Sequence, residues 1–240
     1  SGAVRRSFLS SLECEPDMTV NISFTNGKEA VVVTDSRMST ENRQTDCGTK
    51  LASFANTGKY HGAIITAGSS SDGYHIFSAM TPDKHETLDA FVDSLQNVQS
   101  QVADQKDIAW LQLQIRESAK KSVLLPEDQR NSFLSSERGR ISQEYDAYKK
   151  QGKDRQVLFI ATAYDLPREE VRVFAFDGIE RVEIFFPYML SGSGKDGADL
   201  HFTTMLQGID LKSLPLHELA YHTMNAFAES TVNHGVGGTP

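Results

Sequence analysis

Thr19, Asp35 and Lys50 are the residues of this chain whose types and spacing fit a nucleophilic site. Thr19 opens an apolar run, Asp35 ends the next one, and Lys50 follows shortly after. A threonine hydroxyl is a weak nucleophile until a base takes its proton. With Thr19 at the start of the mature chain, its own α-amine can be that base, and Lys50 with Asp35 can adjust the charge around it. The pattern predicts an N-terminal threonine nucleophile.

A hairpin of two predicted strands would place Thr19 beside Asp35. Residues 20–24 and 29–34 flank the segment Thr25-Asn26-Gly27-Lys28, and an Asn-Gly pair between apolar runs is a strong hairpin signal. Further strands are predicted at residues 61–67, 156–164, 170–176 and 181–186, and helices from about residue 73, from 194 to 206 and from 216 to 230. This order of strands, helices, strands and helices predicts an α+β fold with two sheets packed between helical layers.

The composition limits the classes of function. The chain has 240 residues, 39% of them hydrophobic, with a net charge of −8, which fits one domain and argues against a nucleic-acid surface. We expect no membrane span and no export signal, because no apolar run reaches the necessary length. Two cysteines, Cys14 and Cys47, favour a reducing compartment and a cytoplasmic location. The histidines lack metal-ligand spacing, so we expect neither a metal nor a cofactor.

Residues 83–153 are mostly polar and have helical spacing. Apolar residues recur from Leu88 to Leu95 and again around Trp110, Leu113 and Ile115. Two interpretations stay open for this enlarged helical segment. It is either a pair of amphipathic surface helices with a solvated extension, or an oligomer contact or gate.

Several short motifs together resemble the proteasome-type threonine hydrolases, which belong to the N-terminal-nucleophile class and include the proteasome β subunits. The order and spacing of the motifs carry the resemblance, which covers most of residues 19–238. The motifs are Thr19-Val20-Asn21-Ile22-Ser23, Asp35-Ser36-Arg37, Lys50-Leu51, Ala67-Gly68-Ser69-Ser70-Ser71-Asp72, Gly192-Ser193-Gly194 and Gly237-Gly238.

The resemblance implies a role for each matching residue. Lys50 would keep the pKa of the Thr19 amine low by like-charge repulsion and stabilise negative charge on the hydroxyl, with Asp35 holding the lysine charged. The Gly68 N–H would lie in the oxyanion hole. Ser193 would hydrogen-bond the amine, and Arg37 would support the site.

The chain also departs from the family pattern. Near its end the family carries an aspartate and a serine before the paired glycines, whereas this chain has Asn233 and Val236. Asn233 can support the site by geometry but not by charge, and Val236 has no hydrogen-bonding side chain. Met18 stands where self-processing members have glycine, so we expect initiator-methionine removal to expose Thr19. A family member would normally add closing strands beyond the position of Pro240, so we expect either a lost or disordered C-terminus or a divergent branch of the family.

The resemblance implies a four-layer αββα sandwich over residues 19–240, after an N-terminal extension or processed segment at residues 1–18. The implied activity is that of a threonine peptidase acting on peptides or unfolded proteins inside a homo-oligomeric ring, with an ATPase unfoldase as an optional partner. Two alternatives remain. The chain is otherwise a catalytically dormant scaffold subunit, as proteasome α-type subunits are, or a small-molecule amidase on the same fold.

Overall fold

A computed structural model describes residues 19–35, 38–40, 43–45, 50–67, 70–151, 158–177, 180–192 and 194–234. The strands are β1 (Asn21–Thr25), β2 (Ala30–Thr34), β3 (Met38–Thr40), β4 (Arg43–Thr45), β5 (Leu51–Asn56), β6 (Tyr60–Ala67), β7 (Leu158–Asp165), β8 (Glu170–Asp177), β9 (Glu180–Ile184) and β10 (Tyr188–Ser191). The helices are α1 (Ser70–Ala79), α2 (Leu88–Val123), α3 (Glu127–Gln151), α4 (Lys195–Met205) and α5 (Leu216–His234).

The first sheet has the order β10-β1-β2 and is antiparallel throughout. The β1–β2 turn forms as the sequence predicts, because the Asn26 side-chain oxygen accepts the N–H groups of Lys28 and Glu29 at 2.8 and 2.7 Å. Gly27 supplies the left-handed conformation of the turn at φ +91°. This hairpin fixes the register in which Asn21 lies opposite Thr34.

The second sheet contains five antiparallel strands in the order β5-β6-β7-β8-β9, and β3 pairs with β4 in a separate small hairpin. The sequence predicted β6, β7 and β8 to within two residues at each end. It missed β3, β4, β5 and β10, and it extended β9 through Phe185 and Phe186, whereas the strand ends at Ile184.

Three apolar clusters show how the layers pack. Residues of β5 to β8 pack against Ile76 of α1 and the first half of α2. Ile65, Ile160 and Val173 of the five-stranded sheet pack with residues of β2 and β10 from the other sheet. The opposite face of β1 packs on α4 and α5 through Phe24, Phe202 and their neighbours. The α+β class is therefore confirmed for the described residues, and the four-layer sandwich stays a prediction.

The region 83–153 forms two long helices, α2 and α3. At 1.5 Å per residue, the 36 residues of α2 extend about 54 Å. Only its first half packs on the sheet; farther along, Trp110 stacks on Tyr145 and Tyr148 of α3, with ring centroids 5.8 and 5.1 Å away. The tryptophan that suggested a subunit contact thus packs inside its own chain, whereas Leu113 is 54% exposed.

Candidate functional site

The hairpin brings Thr19 and Asp35 together at one edge of the first sheet. Thr19 precedes β1 and Asp35 follows β2, and the two antiparallel strands put these ends side by side. The backbone N–H of Asp35 donates to the Val20 carbonyl at 3.2 Å. In return the Val20 N–H donates to Asp35 Oδ1, also at 3.2 Å. Asp35 is fully buried, so its carboxylate is held in one position.

Lys50 reaches the same place from the other sheet. It directly precedes β5, and its carbonyl accepts the Thr66 N–H of β6 at 2.9 Å. Its ammonium donates to Asp35 Oδ2 at 2.9 Å and to Thr19 Oγ1 at 3.0 Å. Lys50 is 9% exposed. The ion pair with Asp35 offsets the cost of burying its charge, because unpaired buried ions are strongly unfavourable.

This geometry has a direct chemical meaning for the Thr19 hydroxyl. An ammonium donates only, so the threonine oxygen accepts from Lys50 and keeps its own proton for transfer to a base. A cation 3.0 Å from the oxygen stabilises negative charge that develops there. The arrangement can therefore activate Thr19 as a nucleophile.

Two glycines hold the backbone of Thr19 from the opposite side. The Gly194 N–H donates to the Thr19 carbonyl at 3.1 Å. Gly192 adopts φ +93°, and a Cβ there would lie 2.0 Å from the Thr19 carbonyl oxygen. Only glycine fits this position without a backbone shift. The sequence pointed to the middle residue of the motif and missed the roles of its two glycines.

A buried polar network next to the site was also missed. Asn21 is fully buried in β1. Its amide donates to Ser191 Oγ at 3.0 Å, and its carbonyl oxygen accepts from Thr34 Oγ1 at 2.6 Å. These bonds tie β1 to both neighbouring strands just beyond Thr19. The signal in the sequence is the alternation along β1 of polar Asn21, Ser23 and Thr25 with apolar Ile22 and Phe24.

The remaining predicted site residues lie outside the part of the chain that the structure describes. Gly68, Ser193 and Arg37 are not among the described residues, and for Asn233 only the backbone, in α5, is described. Their roles stay predictions. Two clefts of about 540 and 580 Å³ are lined by described residues, and neither includes Thr19, Asp35 or Lys50. Within the described residues, no group of three or more potential ligands is placed to hold a metal ion.

The fold is similar to that of Anbu proteins. An Anbu structure from Hyphomicrobium sp. strain MC1 has a TM-score of 0.56 and 15% identity, Anbu (ancestral beta-subunit) from Yersinia bercovieri 0.56 and 12%, and the helical assembly of the Anbu complex from Pseudomonas aeruginosa 0.57 and 11%. Each match covers 92% of this chain and 78% of the other. No family model and no curated protein matches the sequence.

The interpretation of the chain as a proteasome-type threonine hydrolase, or proteasome β subunit, was wrong. Its structural neighbours are Anbu proteins, and at 11–15% identity the likeness shows the fold alone. The reason lies in what the motifs encode. The short motifs around Thr19, Asp35 and Lys50 form a hairpin and a buried ion pair; these are features of the fold, and a fold does not fix an activity.

No helix among the described residues is long and apolar enough to cross a membrane.

Proposed function

We propose that this protein hydrolyses peptide or other amide bonds, with Thr19 as the nucleophile once Thr19 is the first residue of its chain. The observation that carries the proposal is the single Lys50 ammonium that donates to both Thr19 Oγ1 and Asp35 Oδ2. A surface Lys-Asp pair would mean little, but this one is buried and reaches the hydroxyl.

The reaction would proceed in two balanced halves. Thr19 Oγ forms a bond to the substrate carbonyl carbon while its proton passes to the α-amine of Thr19. The tetrahedral intermediate collapses, its C–N bond breaks, and the leaving amine takes that proton. Water then attacks the resulting ester with the same amine as base, which releases the acid and regenerates the hydroxyl. Lys50 stabilises charge on Oγ, and Gly68 remains our proposed oxyanion donor.

The proposal also covers the domain structure and the oligomeric assembly of the chain. We infer that residues 19–240 form one domain with an αββα layer order, supported by the three apolar clusters. The Anbu complex from Pseudomonas aeruginosa forms a helical assembly, which supports an oligomer built from many copies of this chain. A helical assembly therefore replaces the homo-oligomeric ring as the form that we propose for this chain.

A catalytically silent scaffold is the second candidate. It is favoured by Asn233 and Val236, which stand where the proteasome pattern has charged and hydroxyl-bearing support for the threonine. The two candidates differ in one measurable property, because a scaffold gains no activity when the Thr19 amine is exposed.

The deciding experiment compares two chains, one translated from Met18 and the full 240-residue chain. Intact mass first establishes that Met18 has been removed, and the mature N-terminus is then tested on fluorogenic peptides and small amides. We expect turnover and a covalent adduct with a peptide β-lactone from the shorter chain, and neither from its Thr19→Ala variant. Thr19→Ser should retain part of the turnover. Equal turnover by the full chain, with an intact N-terminus, would refute the amine as base; no turnover by either chain favours the scaffold.

A further inference from the structure

Strand β9 forms one edge of the five-stranded sheet, and no described strand pairs with its outer side. An edge strand presents unpaired N–H and C=O groups, and proteins usually shield such edges or use them for association. Val182, at the middle of β9, is 50% exposed. Within the described ranges, the outer side of β9 is therefore unpaired.

The two faces of β9 have different chemistry. Arg181 forms an ion pair with Asp93 of α2, and Glu183 accepts two hydrogen bonds from Arg172 at 2.7 and 2.9 Å. Both charged side chains thus lie on the α2 side of the sheet. Since side chains alternate along a strand, Val182 lies on the opposite side, which carries the apolar contacts of Ile184.

Exposed aromatic residues follow the edge strand directly. Phe185 is 89% exposed and Phe186 is 77% exposed, and together with Ile209, which is 40% exposed, they line one cleft. Contiguous exposed apolar residues on a folded protein mark interaction surfaces. Association at β9 would place a partner immediately beside this apolar surface.

We propose that β9 pairs with β9 of a second copy of this chain, antiparallel and across a two-fold axis at Val182. In such a pair, directly opposite residues lie on the same face of the sheet. One residue must therefore lie opposite the same residue of the other copy at the axis, and the axis cannot fall between two successive residues of a strand. Of the three central residues, Arg181 or Glu183 on the axis would face a like charge. Val182 on the axis faces an identical apolar side chain.

The same register is complementary in charge. With Val182 on the axis, Arg181 of each copy lies opposite Glu183 of the other, so the contact contains two opposite-charge pairs. Cross-strand pairs of this kind stabilise a sheet, whereas like charges directly opposite destabilise it. Asp93 and Arg172, which already contact these residues within the chain, extend the alternation of charge across the junction. The charge pattern of this edge is thus complementary to the same edge of a second copy, which is why we propose a second copy as the partner.

The result is an isologous contact that joins two five-stranded sheets into one sheet of ten strands. It covers the β9 edge of each copy at once, and β5 remains at the two ends of the joined sheet. The contact involves neither Thr19 nor hydrolysis, so it stands or falls separately from the proposed activity.

Residue 182 meets itself on the axis, which permits a specific test by light scattering of the 240-residue chain. Val182→Lys and Val182→Glu each place two like charges face to face. We expect the particle mass of each variant alone to fall towards half of the wild-type mass, with the dissociation constant of the pair raised at least about tenfold. An equimolar mixture should regain the wild-type mass, because lysine then faces glutamate.

Controls separate this contact from general damage. Val182→Thr keeps a neutral β-branched side chain on the edge, so we expect it to retain the wild-type mass. Circular dichroism of the two charged variants should match the wild type, since Val182 is half exposed. In Val182→Cys, mild oxidation should link two chains through the introduced thiols, mapped by mass spectrometry. A monomeric wild type at 100 micromolar, an undiminished mass in both charged variants, or failure of the mixture to reassociate would each overturn the proposal.

Discussion

A Cβ atom at Gly192 would lie 2.0 Å from the carbonyl oxygen and 2.6 Å from the carbonyl carbon of Thr19. Both contacts are with backbone, so no side-chain rotation can relieve them. The loop before α4 therefore rests directly on the residue that carries the candidate nucleophile. The position of Thr19 therefore depends on the absence of a side chain at Gly192, a residue far away in the sequence.

If Thr19 acts as proposed, Gly192→Ala should therefore reduce amide hydrolysis by the chain that begins at Thr19 at least about 100-fold. The methyl group must displace Thr19 from Lys50, and a displacement of about 1 Å can cost about 100-fold in rate. The matched control is Gly208→Ala. Gly208 has a similar φ of +79° but open space around its Cβ position, so it bears the same backbone strain of about 1 kcal/mol without the contact. Steady-state kinetics and thermal unfolding of both variants decide the matter; equal kinetics would show that the contact does not position the nucleophile.

Lys50→Met should reduce both activity and stability. Activity should fall at least about 100-fold, because the cation next to Thr19 Oγ1 is lost. The free energy of unfolding should fall by about 3 kcal/mol, because Asp35 is fully buried and loses its ammonium partner. The double variant Lys50→Met with Asp35→Asn should recover stability but not turnover, as measured by urea denaturation and kinetics. Lys59→Met, on an exposed pair with Glu86, is the control for loss of a lysine.

The stability of the fold should decrease as pH falls below about 6.5. Burial, and then the nearby His201, hold the pKa of His222 below its ordinary value of 6.5. Between the two pKa values the unfolded chain binds more protons than the folded chain, so acidification favours unfolding. The decrease begins near pH 6.5 and ends below the folded pKa of His222.

Thermal unfolding from pH 8 to pH 5 measures this effect. His222→Gln should flatten the profile over that range. His217→Gln, on the same helix with a side chain 79% exposed, should leave the profile unchanged. If His222→Gln and the wild type lose Tm in parallel, the pH dependence arises from other groups.

Arg172→Met should lower the free energy of unfolding by about 3 kcal/mol. The Arg172 side chain is 5% exposed and pairs with Glu183, Asp89 and Asp165 at 2.7, 2.8 and 3.4 Å. Its loss leaves the buried Asp165 carboxylate with a weaker partner. Arg168→Met, on a side chain that is 52% exposed, should cost less than about 1 kcal/mol. Chemical denaturation of the two variants gives the comparison, and equal costs would mean that Arg172 acts as an ordinary surface arginine.

Local signals explain the part of the structure that the sequence predicted. The Asn26-Gly27 turn sets the register of β1 and β2, so the proximity of Thr19 and Asp35 follows from residues within one hairpin. Lys50 is farther along the chain, and its placement beside Thr19 came from the motif spacing.

Long-range contacts explain what the sequence did not predict. β10 is four residues long and has no alternation of its own; it becomes a strand because β1 offers it a partner. The approach of Gly192 to Thr19 depends on that same pairing. Phe185 and Phe186 were assigned to β9 because they are apolar, yet they lie exposed beyond its end. These features depend on contacts between residues that are far apart in the sequence, so local sequence patterns do not predict them.

The pairing of β1 with β10 has a consequence for synthesis on the ribosome. Asn21 and Ser191 are hydrogen-bonded although 170 residues separate them in the chain. Contacts between such distant residues form late, since the loop between them must first be closed. Thr19 therefore leaves the ribosome long before the segment that clamps its backbone exists. A nascent chain holds the threonine but not its complete surroundings, so any activity is delayed until translation has passed residue 194.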